Sequence, residues 1–194
     1  MAIHLPLQTD RLLLRDFVED DIPAVHCYAS DPEVVRYMVW GPNAEQESRE
    51  AVERWLAQQG TDPRLDFALA IVLRAEERLI GGCSIRVSDP ASRAAYIGYC
   101  LNRDYWGRGY GTEAARALVA FGFQQLGLRR IFATCDTRNV ASARVLEKAG
   151  MRREGHLREH KLIRGEWRDS YVYAILEHER PPTHEGQMQA DRST

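Results

Sequence analysis

Asp104-Tyr105-Trp106-Gly107-Arg108-Gly109-Tyr110-Gly111-Thr112-Glu113-Ala114-Ala115 sets three glycines one residue apart and leads straight into an amphipathic helix. Glycine tolerates positive φ and lets a ligand approach the backbone, so successive N–H groups of such a loop can converge on an anion. The start of the helix adds unpaired N–H groups and a partial positive charge. Two nucleotide motifs do not fit. A Walker loop needs lysine before its Ser or Thr, and Thr112 follows Gly111. A dinucleotide fingerprint is Gly-x-Gly-x-x-Gly after a first strand, whereas this is Gly-x-Gly-x-Gly deep in the chain. A tight strand-to-helix connection without ligand stays open on the loop alone.

Working outward, 194 residues with 44% apolar and 28% charged content predict one domain with a proper core. A net charge of -2 argues against a broad basic face for nucleic acid. Cys27, Cys83, Cys100 and Cys135 form no Cys-x-x-Cys pair and read as reduced, buried small hydrophobes. His26, His156 and His160 lack metal-ligand spacing, so no metal is expected. No signal-peptide layout and no membrane-length apolar run are visible, which makes cytoplasmic the expected location and a membrane an unexpected partner.

The elements alternate in an α+β order. Arg11 to Phe17 reads as a first strand, Glu19 to Tyr28 and Asp31 to Met38 as short helices, and Ala44 to Gln59 as a longer one. Phe67 to Leu73, Leu79 to Val87 and Ala94 to Leu101 are strands two to four. Helical periodicity from Ala115 stops at Gly127, and Arg130 to Cys135 is the fifth strand. Asn139 caps a helix that runs to Ala149. Met151 to Ile163 and Trp167 to Ile175 form a closing hairpin through Arg164-Gly165-Glu166. Residues 181–194 read as a disordered tail, leaving 1–180 as the domain.

Together with the glycine loop, Asn139-Val140-Ala141-Ser142-Ala143-Arg144-Val145-Leu146-Glu147-Lys148-Ala149-Gly150-Met151 resembles the GNAT superfamily of N-acetyltransferases. Thr9 to Arg15, Asp31 to Met38, Arg153 to Glu159 and Gly165 to Tyr171 are similar to its RimJ/RimL-type branch. Trp106 stands where the superfamily pattern begins with Gln or Arg, as this branch often has it. The resemblance implies a mixed, mostly antiparallel sheet of about six to seven strands flanked by helices and splayed between the fourth and fifth. It further implies acetyl-CoA as cosubstrate and direct transfer to a primary amine in a ternary complex.

On that resemblance Trp106, Gly107, Arg108, Gly109, Tyr110, Gly111 and Thr112 hold the pyrophosphate, with Asn139, Ser142 and Arg144 beside it. Arg103, Arg138 and Lys148 are further cations for the phosphates. Tyr99, Cys100 and Leu101 lie along the pantetheine arm, with Cys100 structural. Ser142 shares the inward face of Val145, Leu146 and Ala149 and is the candidate acid for the departing thiolate, against a plain backbone-bonding role. Tyr96 occupies the place of a glutamate common in relatives, so Glu159, alternating onto one face with Lys161, is the candidate base, against a water chain with none. Tyr37, Met38 and Trp40 are expected to wall the acceptor pocket. The expected acceptor is a protein N-terminus, ribosomal or other. An antibiotic or polyamine amine, or a CoA-binding sensor without catalysis, are the rival readings. A monomer or homodimer fits equally.

Overall fold

Alternating side chains along the early strands have somewhere to go on both faces, and this explains the unbroken apolar run at Phe67–Leu73. In the computed structural model, which describes residues 3–180, Leu12, Leu14, Phe67, Leu69 and Ile71 pack with Ala114, Leu118 and Phe121 on one side of the sheet. Ala68, Ala70 and Val72 pack with Val25, Tyr28 and Val52 on the other. A strand covered on both faces needs no polar alternation. Each fully buried side chain such as Leu118 contributes roughly 1.5–3 kcal/mol relative to exposure.

The strands are β1 (Leu7–Gln8), β2 (Leu12–Asp16), β3 (Asp66–Leu73), β4 (Arg78–Asp89), β5 (Ala94–Leu101), β6 (Arg130–Asp136), β7 (Arg152–Ile163) and β8 (Glu166–Leu176). They form one sheet in the order β1-β2-β3-β4-β5-β6-β8-β7. Helices α1 (Ile22–Ala29), α2 (Glu45–Gln59), α3 (Tyr110–Gln124) and α4 (Val140–Lys148) flank it. Eight strands stand where six to seven were expected, because Leu7–Gln8 pairs with Leu13 and Leu14 over two residues, too few for periodicity to register.

Among the described residues only β5 and β6 run parallel, and their pairing ends after Ala94, Ala95 and Tyr96 meet Arg130, Ile131 and Phe132. Beyond Tyr96 the strands diverge. The hairpin then rests against the far edge of β6, joined by Arg164 and Gly165, whose φ of 48° and 80° suit a two-residue turn.

Two other readings are corrected. Residues 31–40 form turns, not a helix, because the carbonyls of Val35, Arg36, Trp40 and Gly41 converge on the Arg164 guanidinium at 2.6–3.5 Å. Of the four, the Val35 carbonyl also accepts from the Met38 N–H at 2.8 Å, so the local turn and the Arg164 contact share it. Cys27 is exposed, not buried, since it falls off the stripe that α1 buries through Ile22, Val25, Tyr28 and Ala29. The expected tail at 181–194 lies outside the described residues.

Candidate active site

Gly107 and Gly109 adopt φ of 74° and 83°, and Gly109 is the cap from which α3 starts. An L side chain is strained at such φ, so the turn demands glycine. Gly111 differs from expectation. It lies inside α3, buried, with ordinary spacing to Leu101 and Val145, so it serves packing instead of left-handed geometry.

A brace from the start of the chain fixes this loop. Glu113, in the first turn of α3, accepts from the Thr9 hydroxyl at 2.6 Å, the Arg11 backbone N–H at 2.9 Å and Arg11 Nε at 2.7 Å. Burial pushes the Glu113 carboxyl up, yet these donors outweigh it and hold it below the usual carboxylate value. Arg11 in turn donates to the Arg108 carbonyl at 3.0 Å and lies 4.5 Å from the Tyr110 ring centroid. Trp106 ties the other end, its Nε1 donating to the Leu101 carbonyl at 2.9 Å. In the sequence Arg11 opens the first strand and Thr9 precedes it, and nothing local announces this bond.

Of the cations proposed for phosphate, Arg103 pairs with Asp31 and Arg138 with Asp136 and Glu166. Arg108, Arg144 and Lys148 have no carboxylate partner among the described residues, and the Arg108 guanidinium sits 5.6 Å from the Tyr105 ring. These three remain available to an anion.

Asn139 caps α4 by accepting from the Ser142 N–H at 3.0 Å. Ser142 thereby faces β5, where its Oγ lies 2.9 Å from the Tyr99 hydroxyl. The Tyr99 hydroxyl also reaches the Ser142 carbonyl at 3.2 Å. Burial pushes the Tyr99 phenol well above its ordinary value, against the pull of Ser142, so it stays protonated. Cys100, next along the strand, is pushed up to about 12 by burial. It is a thiol, not a thiolate, at neutral pH.

The gap between β5 and β6 opens into a cleft of about 920 Å³ that passes from the Ser142 and Tyr99 hydroxyls to α2. Tyr37, Met38 and Trp40 line it together with Tyr96. Lys161 and Asp136 line the opposite wall. Glu159 does not. The β7–β8 register shifts between Leu157 and Lys161, and Glu159 occupies the bulge at φ 49°, exposed, its N–H donated to Asp169 Oδ1 at 2.9 Å. The bulge breaks the alternation that would have put Glu159 and Lys161 on one face. Asp136, 7% exposed, accepts from the Arg138 N–H at 2.8 Å and faces Arg168 at 3.4 Å.

The arrangement joins a glycine-led helix start, a strand edge left unpaired beyond Tyr96 and a part-buried hydroxyl pair along one cleft.

A family model described as an acetyltransferase (GNAT) domain matches residues 11–152. Among similar sequences, YnaD of Bacillus subtilis, an uncharacterized N-acetyltransferase, is 36% identical over 173 residues, covering 89% of this chain and 98% of that one. A ribosomal-protein-serine acetyltransferase of Escherichia coli is 29% identical over 135 residues, 69% of this chain and 72% of the other. A crystal structure of a GNAT-family acetyltransferase from Bacillus anthracis superposes with a TM-score of 0.80 at 35% identity, covering 90% of this chain and 99% of that one.

Proposed function

The chain belongs to the acetyltransferase (GNAT) family, and from that premise we propose that it transfers the acetyl group of acetyl-CoA to a primary amine, foremost a protein or peptide N-terminal amine. The observation that carries this reading is the Tyr99–Ser142 hydroxyl pair beside the point where β5 and β6 part, its two residues flanking the positive-φ glycine loop in the chain. Acetyl-CoA supplies an activated thioester. The backbone from Gly107 to Thr112, with Arg108 and Arg144, holds its phosphates, and the open edge of β5 at Tyr99 to Leu101 takes the arm.

The amine nitrogen forms its bond to the acetyl carbon, the carbon–sulfur bond breaks, and CoA leaves as a thiol. Ser142 Oγ gives the sulfur its proton and regains one through the Tyr99 hydroxyl, which burial keeps neutral and which takes its replacement proton from the solvent that receives the ammonium proton. Unpaired N–H groups along β5 past Tyr96 face the developing oxyanion. The ammonium proton goes to solvent; the carboxylates on the lining accept from the chain, Asp136 from Arg138, Glu47 from the Ala44 N–H and Glu50 from Gln46. An α-amine, with a pKa near ~8 against about 10.4 for lysine, needs no strong base. An acyl-cysteine route through Cys100 lacks a thiolate.

The E. coli ribosomal-protein-serine acetyltransferase supports a protein acceptor at modest identity. Four free cysteines suit a reducing, cytoplasmic setting. Thiol release from acetyl-CoA, followed against a panel of N-terminal peptides and small amines, tests the reading. Saturable release with at least one amine is expected. Tight CoA binding without release on any acceptor would overturn catalysis and leave a CoA sensor.

A further inference from the structure

Charged groups on the acceptor side of the cleft, taken with their ion-pair partners, balance in number, with one carboxylate in excess at the exposed α2 rim, but deeper in the cleft one ammonium has no carboxylate paired with it among the described residues. On the β6–β8 wall, Asp136 and Glu166 face Arg138 and Arg168 in a closed network of two carboxylates and two guanidiniums. Arg86, also on the lining, is paired with Asp66 at 2.6 Å. On the α2 rim, Glu47 and Glu50 are exposed beside Arg54. Lys161 stands apart. It is half-buried in the cleft, and its Nζ donates to the neutral Thr134 hydroxyl at 3.0 Å. No carboxylate pairs with it among the described residues. An ammonium has three donors, so two remain for a ligand.

Its position gives that surplus a meaning. Thr134 is two residues past Phe132, the last β6 residue paired to β5, and Tyr96 is the matching last residue of β5. Lys161 therefore lies across the gap from the stretch of β5 that leads to Tyr99 and its Ser142 partner. Its field is felt locally: burial raises the Cys135 thiol to about 11 while Lys161 pulls the other way. A half-buried cation without a counter-ion is costly unless something anionic completes it. A polyamine would bring further positive charge to the same spot.

Resting on the transferase reading above, the geometry points to an acceptor that carries a carboxylate within a few bonds of its amine, bound by Lys161. That chemistry belongs equally to an acidic residue at a peptide N-terminus and to a free amino acid. Lys161 is then the specificity residue of the cleft. Guanidinium at this position would keep the preference, and a neutral side chain of similar length would lose it.

The test uses matched acceptors with the full chain: peptides opening with Asp or Glu against the same peptides opening with Asn or Gln, and a free amino acid against its amide. Wild-type kcat/KM is expected to favour the carboxylate member by about tenfold, as for a charge-assisted hydrogen bond. The peptide and amino-acid arms tell which source is used. In Lys161→Met the ratio within each pair should fall to near one, and Lys161→Arg should restore it. Equal turnover of both members by wild type overturns the inference and leaves the transferase intact. A Lys161→Met variant that slows both members alike also overturns it, showing a role unconnected with the carboxylate. No thiol release with any acceptor removes the transferase reading itself.

Discussion

The proposed donor end of the cleft and its proposed acceptor end are built by different means. The donor end is mostly backbone: two left-handed glycines, a helix start and an unpaired strand edge, braced by Arg11 and Glu113. The acceptor end is mostly side chains, contributed by the 31–43 turns, α2 and the β7–β8 hairpin, and tied together by Arg164. A backbone site reads phosphate in any context. A side-chain site changes with each substitution, so one end is general for its ligand and the other is particular.

The sharpest way to probe the contrast is at the junction. Tyr99→Phe or Ser142→Ala should lower kcat by roughly a hundredfold, the usual scale for losing a positioned proton donor. Because the two hydroxyls bond each other, the double variant should lose far less than the product, and a double-mutant cycle on kcat reads that coupling. Full additivity would mean the pair does not act as a unit.

Next in size is the donor end. Gly109→Val puts a β-branched residue at φ 83° with its Cβ 3.4 Å from the Arg11 guanidinium. At a cost of about 1–3 kcal/mol for the strained backbone, CoA should bind at least about tenfold more weakly by calorimetry. Gly111→Ala should be tolerated, since the added methyl meets only ordinary contacts at 3.6 Å. If both glycines proved equally sensitive, the left-handed turn would not be the reason.

At the acceptor end, Arg164→Ala removes the common donor of four carbonyls. Their exposure puts the cost near the low end, about 1 kcal/mol, or a thermal midpoint roughly 2–4 °C lower. Acceptor KM should rise severalfold while CoA affinity holds. Parallel losses in both would mean the two ends are not independent.

The smallest effect is in acid. Glu113 has its pKa lowered in the folded state, so its contribution is complete above the unfolded carboxylate value of about 4.3 and is lost as pH falls through the lower folded value. Between about pH 5 and pH 3 the thermal midpoint should fall less steeply in Glu113→Gln than in wild type. Identical slopes would show that the brace carries no linked proton.

The same contrast governs what could be read beforehand. The glycine loop, the Asn139 cap and the strands at 67–73 and 94–101 are written in local residues, because turn chemistry, capping and burial act over a few positions. The acceptor end was obscured by distance. Asp31 to Met38 has the composition of a helix start, but carbonyls of this stretch are held by Arg164, more than 120 residues later. Glu159 and Lys161 have the spacing of one strand face, and a bulge between Leu157 and Lys161 separates them. Period-two reasoning fails wherever an extra residue enters a strand, and no residue between 157 and 161 marks the place.

The short parallel contact between β5 and β6 carries one more consequence. Past Tyr96 and Phe132, two strand edges face each other inside the sheet instead of lying at its perimeter. Open edges are templates for strand addition, and proteins usually blunt them with charge or covering loops. Here the edge of β5 has to stay bare to be useful. Solubility of the free protein therefore depends on how narrow the gap is for a foreign peptide, and storage with the ligand that fills it should suppress self-association as well as raise the melting temperature by mass action.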